Sequence, residues 1–511
     1  MITLESYLEG KWVQGTGDAE TLVNPATEAH LATTSTAGLD LSAALAHARD
    51  RGNPNMRTLT FKQRADLLRS LSKAIHAQRD ELLAEATANG GGTHKDGKFD
   101  IDGAWGTLAA YAELAETLGE GTVLPDGESV QLARSPRLHG LHVRVPRAGV
   151  AVLVNAFNFP AWGMAEKAAT AILAGMPILA KPAAATALVS WRIAKAWADL
   201  FPEGGFSFLA GAPNDLIDHL DYRDALAFTG SSHTGALLRA SKAVTERGVP
   251  LAVEADSLNA AVLGPDVEIG SELFDLFVAD VIREMTQKAG QKCTAFRRIF
   301  VPKALAADVI ERLTGELSRV KVGNPAEAGV TMGPLTTRVQ LAGIIERLPR
   351  FTEKAKLVFG ESPKAGTGFF CGPMLLSLDA VSADDRVHAD ELFAPIATVV
   401  AYDGTAEDAV RGVVLGRGGL QASVYSDDKK FLRIFVLGIA PHHGRVSVGS
   451  SKIAGQAMPP GMALPQLLHG GPGRAGGSEE LGGLRGCGFY TQRVALQGDR
   501  ALLLDLAGLT G

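Results

Sequence analysis

The sequence predicts an α/β protein organised around doubly wound parallel sheets, on three observations. Short, largely apolar runs recur from residue 148 onward, and each is followed by a segment whose apolar residues have helical spacing. The runs end on polar or glycine-rich stretches, which is where ligands sit beyond the carboxyl ends of parallel strands. With 511 residues the chain has room for about three domains of roughly 150 residues each.

Composition narrows the class. Hydrophobic residues make up 46% and charged residues 21%, the balance of a globular chain. Lys and Arg total 50 against 56 Asp and Glu, a net charge of −6, so neither nucleic acid nor an anionic membrane is expected as a partner. AGVAVLVNAF at 148–157 is among the longest apolar stretches and falls short of the about 20 residues a bilayer span needs. The N-terminal MITLESYLEGKW lacks the apolar core of a secretory signal, so a cytoplasmic location is expected. Three cysteines, Cys293, Cys371 and Cys487, suggest no disulfide framework.

In chain order, residues 61–86 place Leu67, Leu68, Leu71, Ile75, Leu82 and Leu83 at helical spacing. The stretch TANGGGTHKDGKFDIDG at 87–103 reads as a break, and a second helical pattern runs on through Tyr111 and Leu118. Residues 123–146 read as short strands punctuated by Pro and Gly, a hairpin. Then come a strand at 150–155 with a helix at 164–174, a strand at 177–182 with a helix at 187–200, and a strand at 225–230 with a helix from about 234. A strand at 250–255, a helix at 272–288 and a strand at 297–302 follow, with more βα pattern to about 450. Residues 470–488 hold nine glycines among 19 and read as a loop, and 492–497 reads as a last strand. No tandem repeat or coiled-coil heptad run is visible.

Several residues at these strand ends could carry chemistry. Cys293 follows Gly290-Gln291-Lys292, and Lys292 with nearby backbone N–H groups is a plausible source of thiolate stabilisation; alone, Cys293 also fits a buried structural cysteine. Glu254 closes the apolar run PLAV, where a carboxylate must be paired, hydrogen-bonded or used. Asn158, in AFNFP, fits either a cap or a donor to a developing oxyanion, worth about 2.7–4 kcal/mol in the second role. FTGSSHTG at 228–235 puts Gly230, Ser231 and Gly235 at a strand-to-helix junction able to hold a pyrophosphate, although the spacing is not GxGxxG. Lys181 ends the run ILAK, where a solvated lysine is equally natural. No cluster has metal-ligand spacing, so no metal is expected, and His442 and His443 read as surface residues. The absence of G-x-S-x-G argues against a serine hydrolase.

Six segments together resemble the aldehyde dehydrogenase superfamily: AFNFP at 156–160, KPAAAT at 181–186, FTGS at 228–231, VEADSLN with Glu254, GQKC with Cys293, and ELFAPI at 391–396. The resemblance implies a Rossmann-like cofactor domain over 1–127 and 147–255, an α/β catalytic domain over 256–470, and a small β oligomerisation element over 128–146 and 471–511. It implies that Cys293 attacks an aldehyde, that Asn158 and the Cys293 backbone N–H hold the oxyanion, and that Glu254 activates water against the resulting thioester. Lys181 would bind the adenosine ribose, Ser231 with Gly230 and Gly235 the pyrophosphate, and Glu391 the nicotinamide ribose, with Phe393 and Phe157 beside the cofactor. A homodimer is expected, because an edge strand such as 490–498 should pair with another subunit.

The departures from the family pattern carry their own expectations. NAD-preferring members have an acidic residue three positions after the lysine, and here that position is Ala184. A carboxylate about 5 Å from a 2′-phosphate would cost roughly 3 kcal/mol at an effective dielectric of 20, so its loss predicts NADP as cofactor. Lys181 and Thr186 are the candidates by position for the 2′-phosphate. Ala156 and Phe157 replace the usual proline and tryptophan, and Asp256 and Ser257 replace the usual glycines, which points to a divergent branch. LESYLEGKW at 4–12, DIDGAWGTL at 100–108 and HGGPGRAGGSEELGGL at 469–484 resemble the aldehyde dehydrogenases of aerobic aromatic degradation through CoA thioesters. That implies a CoA-linked semialdehyde substrate, with benzoate catabolism the preferred setting. Since the sequence ends at Gly511, a stand-alone dehydrogenase rather than a fusion to a hydratase is expected. Glu254 favours hydrolysis to the free acid over transfer to CoA. The alternatives are a dehydrogenase of a simple aromatic or aliphatic aldehyde, a binding protein without turnover, and a thiol hydrolase. The binding protein would lack the nucleophile or the base, and the thiol hydrolase is disfavoured because no histidine lies in the Cys293 or Glu254 segment.

Overall fold

The computed structural model describes residues 2–508. Two seven-stranded sheets dominate it. In the first, the strands run in the order Leu251–Glu254, Ala225–Thr229, Ala151–Val154, Ile178–Lys181, Phe206–Phe208, Ser6–Leu8 and Lys11–Val13. The first five are parallel, and the two N-terminal strands close the edge antiparallel. From Ala151–Val154 the chain builds outward to one side, then returns to build Ala225–Thr229 on the other. The crevice of this sheet therefore opens between the ends of those two strands, at Asn155–Asn158 and Gly230–Ser231.

The second sheet runs Lys356–Phe359, Met374–Leu378, Ile396–Tyr402, Arg298–Pro302, Ala260–Leu263, Gly419–Tyr425 and His443–Gly449, parallel except for its first strand. A smaller antiparallel sheet pairs Leu138–Pro146 along its whole length with Thr491–Asp499, with Leu124–Pro125 and Val130–Gln131 on the other side. A three-stranded sheet of Ile2–Leu4, His30–Thr34 and Glu20–Val23 sits at the N-terminus. Helices Phe61–Ala77, His94–Glu116, Trp162–Ala174 and Ala187–Trp197 bury one apolar face of the first sheet in a single cluster with Leu68, Tyr111, Ile172 and Trp197. Burying both faces explains the near-continuous apolar text of these parallel strands.

Five readings of the sequence need correction. Residues 94–103 are helical, because Thr93 and Asp96 form a capping box that starts a helix running to Glu116. The 61–86 pattern is two helices, Phe61–Ala77 and Arg79–Gly90, divided at Gln78. The strand Phe206–Phe208 is too short to show a period. The glycine-rich segment contains a helix, Leu484–Tyr490, packed on Trp162–Ala174, so residues 471–490 join the first domain and the cavity below rather than the oligomerisation element. Residues 509–511 of that expected element lie outside the described residues. His443 opens an edge strand of the second sheet and is buried, with its ring bonded to the Ile439 carbonyl, so it is not a surface residue.

Candidate active site

One cavity of about 770 Å³ lies where the two large sheets meet. It is lined on one side by Lys181, Gly230, Ser231, Glu391 and Phe393, and elsewhere by Phe99, Phe159, Trp162 and Leu481. Asn158, Glu254 and Cys293 all line it, so the three residues read from separate segments face one space. Its volume suits an organic ligand of substantial size. The aromatic wall is interlocked: Phe99 meets Trp162 at 5.2 Å and Phe159 at 5.9 Å between ring centroids.

Cys293 sits on a loop whose path is tightly determined. Lys288 and Ala289 hold positive φ of 54° and 51°, and Gly290 follows at φ 67°. A Cβ on Gly290 would lie 2.5 Å from the Ala394 carbonyl oxygen, so only glycine permits this approach. Asn259 Nδ2 donates to the Cys293 carbonyl at 2.8 Å and to that of Ala295 at 2.9 Å, which anchors the far side of the loop. Asn158 Nδ2 donates to the Gln291 carbonyl at 3.1 Å, which ties the amide to the same loop. An amide nitrogen carries two hydrogens, so one remains for an oxyanion. Lys292, expected beside the thiol, instead buries its ammonium against Glu284 at 2.7 Å and Gln287 at 2.9 Å. Lys292 is therefore not the partner of the sulfur.

That partner is His469, which the sequence reading assigned no role. Its Nε2 lies 3.9 Å from Cys293 Sγ and 3.5 Å from Glu254 Oε1. The strand Leu251–Glu254 is at the edge of its sheet, and the loop after His469 runs along it. Ala255 N donates to Ala475 O at 3.0 Å, Ser478 Oγ donates to Val253 O at 3.0 Å, and a Cβ on Gly476 would fall 1.7 Å from Val253 O. The glycines of HGGPGRAGG thus serve a backbone that hugs the strand and returns a histidine to the carboxylate at its end. This removes the ground on which a thiol hydrolase was disfavoured. It also gathers Glu254, Cys293 and His469, with polar atoms within 4.8 Å of one another, although no ligand-like spacing is visible in the sequence.

The electrostatics of the three groups are coupled. Burial by itself would raise the Glu254 carboxyl, but the charge and hydrogen bond of His469, aided by Lys167, hold it down at about 2. Burial works against a charged His469, and Glu254 overcomes it and raises the imidazole well above its ordinary value. The Cys293 thiol is raised, first by burial and then by the Glu254 charge, with His469 opposing. Behind them Lys167 pairs with Glu480, both fully buried, and burial raises Glu166 and Glu480. The resting arrangement is a carboxylate and an imidazolium beside a neutral thiol.

The cofactor residues fall into two groups. Lys181, Gly230, Ser231, Glu391, Phe393 and Phe157 line the cavity, with Phe157 and Phe393 edge to face at 6.0 Å. Ala184, Thr186 and Gly235 do not line it. Thr186 is buried with its hydroxyl donated to the Phe157 carbonyl at 2.9 Å, which removes it as a candidate for the 2′-phosphate. Glu391 is ion-paired with Arg297 at 3.1 Å and accepts from Ser257 N at 3.2 Å. At the N-terminus of helix Ser232–Ala240, Asp256 accepts from Ser232 N at 3.0 Å and Ser231 Oγ accepts from Thr234 N at 3.2 Å. The N–H groups expected to be free for a pyrophosphate are thus partly occupied, and Asp256 sets a like charge near it. Two of the lining residues carry buried polar atoms without partners: both amide atoms of Asn155, and Nε and Nη1 of Arg474. Such orphans call for a polar ligand, and a nicotinamide dinucleotide fits them.

A cavity that brings Cys293, Glu254 and Asn158 together beside a Rossmann-type crevice and an aromatic wall has the layout expected of an NAD(P)-type dehydrogenase of aldehydes. The model of the aldehyde dehydrogenase family matches residues 12–461, and the chain belongs to that family. It is similar to the 3,4-dehydroadipyl-CoA semialdehyde dehydrogenase of Aromatoleum evansii, 41% identical over 478 residues, which is 92% of this chain and 93% of the relative. The crystal structure of lactaldehyde dehydrogenase from Escherichia coli superposes with a TM-score of 0.85 at 24% identity, covering 97% of this chain and 99% of that one. Betaine aldehyde dehydrogenase from Staphylococcus aureus, in complex with NAD+, gives a TM-score of 0.84 at 22% identity over 97% and 95% of the two chains. Among the described residues no helix is long and apolar enough to cross a membrane.

Proposed function

We propose that this enzyme oxidises a CoA-linked semialdehyde, 3,4-dehydroadipyl-CoA semialdehyde or a close analogue, to the free acid with NADP in aromatic degradation. The observation that carries the substrate is the 41% identity to the Aromatoleum evansii enzyme across 92% of this chain. The sulfur of Cys293 attacks the aldehyde carbon, and the C=O electron pair moves to oxygen, where Asn158 and the Cys293 N–H receive the charge. When bound, NADP supplies the acceptor for the hydride that leaves this carbon, and a thioester remains on Cys293. Glu254, ionised at neutral pH, takes a proton from water, and the hydroxide displaces the sulfur. The aromatic wall of Phe99, Phe159 and Trp162 suits the carbon chain that links the aldehyde to its CoA handle.

Absence of an acidic side chain at Ala184 supports NADP over NAD. The bare outer edge of Thr491–Asp499, with Val494 exposed, supports a homodimer. The three-part division is supported by sheet membership, except that Leu124–Pro125 pairs within the sheet of the oligomerisation element and residues 471–490 pack with the first domain. Steady-state kinetics on CoA semialdehydes and free semialdehydes, each with NADP and NAD, test the reading. The expected result is the highest kcat/KM with the CoA ester and NADP, and introducing Ala184→Glu should swing the cofactor ratio towards NAD by about 100-fold. Equal rates on simple aldehydes would favour the general aldehyde dehydrogenase alternative.

A further inference from the structure

His469 reaches the reacting sulfur and the hydrolytic carboxylate with a single atom. Nε2 stands 3.9 Å from Cys293 Sγ and 3.5 Å from Glu254 Oε1, and the ring is buried. An ionised carboxylate is acceptor-only, so the nitrogen that faces Glu254 carries the hydrogen. The same N–H is therefore offered to whichever neighbour holds negative charge. Among the described residues the nearby lysines are paired elsewhere. Lys292 is committed to Glu284, and Lys167 to Glu480.

We propose that His469 is a further catalytic residue, an imidazolium N–H donor shared in turn by the Cys293 thiolate and the Glu254 carboxylate. This deepens the reading of Cys293 as nucleophile and Glu254 as base, and rests on it. In the first half-reaction the thiol proton passes to Glu254, and the S–H electron pair, stabilised by His469 N–H, forms the new C–S bond. Glu254 then releases that proton to solvent. In the second half-reaction Glu254, again paired with His469, takes a proton from water. The hydroxide attacks the thioester, the C–S bond breaks, and the departing thiolate is held by the same N–H until Glu254 returns the proton. His469 keeps its own proton throughout, and one proton is released per turnover, as aldehyde oxidation to a neutral acid by an oxidised nicotinamide requires.

The charges around the ring favour a persistent imidazolium. Glu254 faces it as a carboxylate, with Glu166 and Glu480 as further acidic groups that burial raises, Lys167 and Arg445 as the nearby cations and Cys293 as the thiol. The 1% exposure of the Glu480 side chain leaves these fields little screened by water.

Alkylation of Cys293 by iodoacetamide, followed against pH in the full-length enzyme without aldehyde or cofactor, tests this directly. His469→Phe keeps an aromatic ring in the space and removes the donor, and His469→Gln restores a neutral donor. In the Phe variant alkylation at neutral pH should fall by about 10-fold or more, with its pH midpoint at least about one unit higher. The NADPH burst should fall in parallel, NADP affinity by titration should not change, and the Gln variant should recover part of the loss. An unchanged alkylation profile in both variants overturns the proposal, even if turnover or melting temperature drops, because that pattern is a packing role. Since alkylation needs no substrate, a wrong substrate assignment leaves this result intact. Loss of the burst in Cys293→Ala checks the underlying reading separately. Should the Phe variant not fold, His469→Ala takes its place: a profile moved to higher pH in Ala and partly recovered in Gln supports donation, and wild-type profiles in both overturn it.

Discussion

Cys293 and Cys487 have the same side chain and are both unbridged, yet their surroundings give them different chemistry. Cys487 is buried in helix Leu484–Tyr490, its Sγ donates to the Thr170 carbonyl at 3.7 Å, and burial pushes its thiol up to about 12. Cys371, in an apolar cluster, is likewise pushed up to about 12 by burial. Cys293 opens onto the cavity beside an imidazolium and a carboxylate that can receive its proton. A reactive cysteine is thus made by its neighbours and its access to a ligand, not by depth in the fold.

The comparison breaks most sharply on the cysteines themselves. Cys293→Ala should lower turnover by about 10,000-fold or more, while Cys487→Ser, which retains a donor for Thr170, should keep nearly wild-type kcat. Equal losses in both variants would erase the distinction. Glu254→Gln should slow steady turnover by roughly 1,000-fold and leave a burst of NADPH of about one equivalent that forms more slowly, because Glu254 also takes the thiol proton, read by rapid-mixing absorbance. If burst and turnover disappear together, Glu254 is as necessary for the thiol as for water.

Gly290→Ala places a methyl against the Ala394 carbonyl and must move the Cys293 loop. A shift of the order of 1 Å at the nucleophile predicts a loss of about 100-fold in kcat with small change in cofactor affinity. The smallest effect is on stability against pH. His469 is raised in the folded state, so its contribution is present in full below its unfolded value near 6.5 and is lost as pH rises through the raised folded value. Glu254 is lowered to about 2, so its contribution is present above its unfolded value near 4.5 and lost as pH falls through about 2. The melting-temperature advantage of wild type over His469→Phe should therefore shrink between pH 7 and pH 10, by a few degrees at most for a chain of this size.

Much of the site was legible before any fold was known. Strand ends of a parallel sheet are marked in sequence, because an apolar run buried on both faces must stop where a polar side chain begins, as at Glu254, Lys181 and Asn155. Glycines before Cys293 likewise mark a constrained backbone. Thr186 misled because its distance from Lys181 says nothing of direction, and its hydroxyl turns inward to Phe157. Ser231 was read as free for a ligand, whereas Asp256, 25 residues away along the chain, accepts from Ser232 at the same helix end.

Sequence alone determined the fold class and most of the succession of strands and helices, which are written in local pattern, and it singled out Cys293, Glu254 and Asn158, whose proposed roles come from the family resemblance. Only the tertiary structure decided who stands beside them. His469 lies 176 residues from Cys293, and no periodicity or spacing links the two. What joins them is the exposed edge of the Leu251–Glu254 strand, which a glycine-rich loop covers so closely that a side chain on Gly476 would strike the backbone. Hydrogen bonding along that edge, a property of two folded segments in contact, is what turns a cysteine and a glutamate into a three-membered proton system.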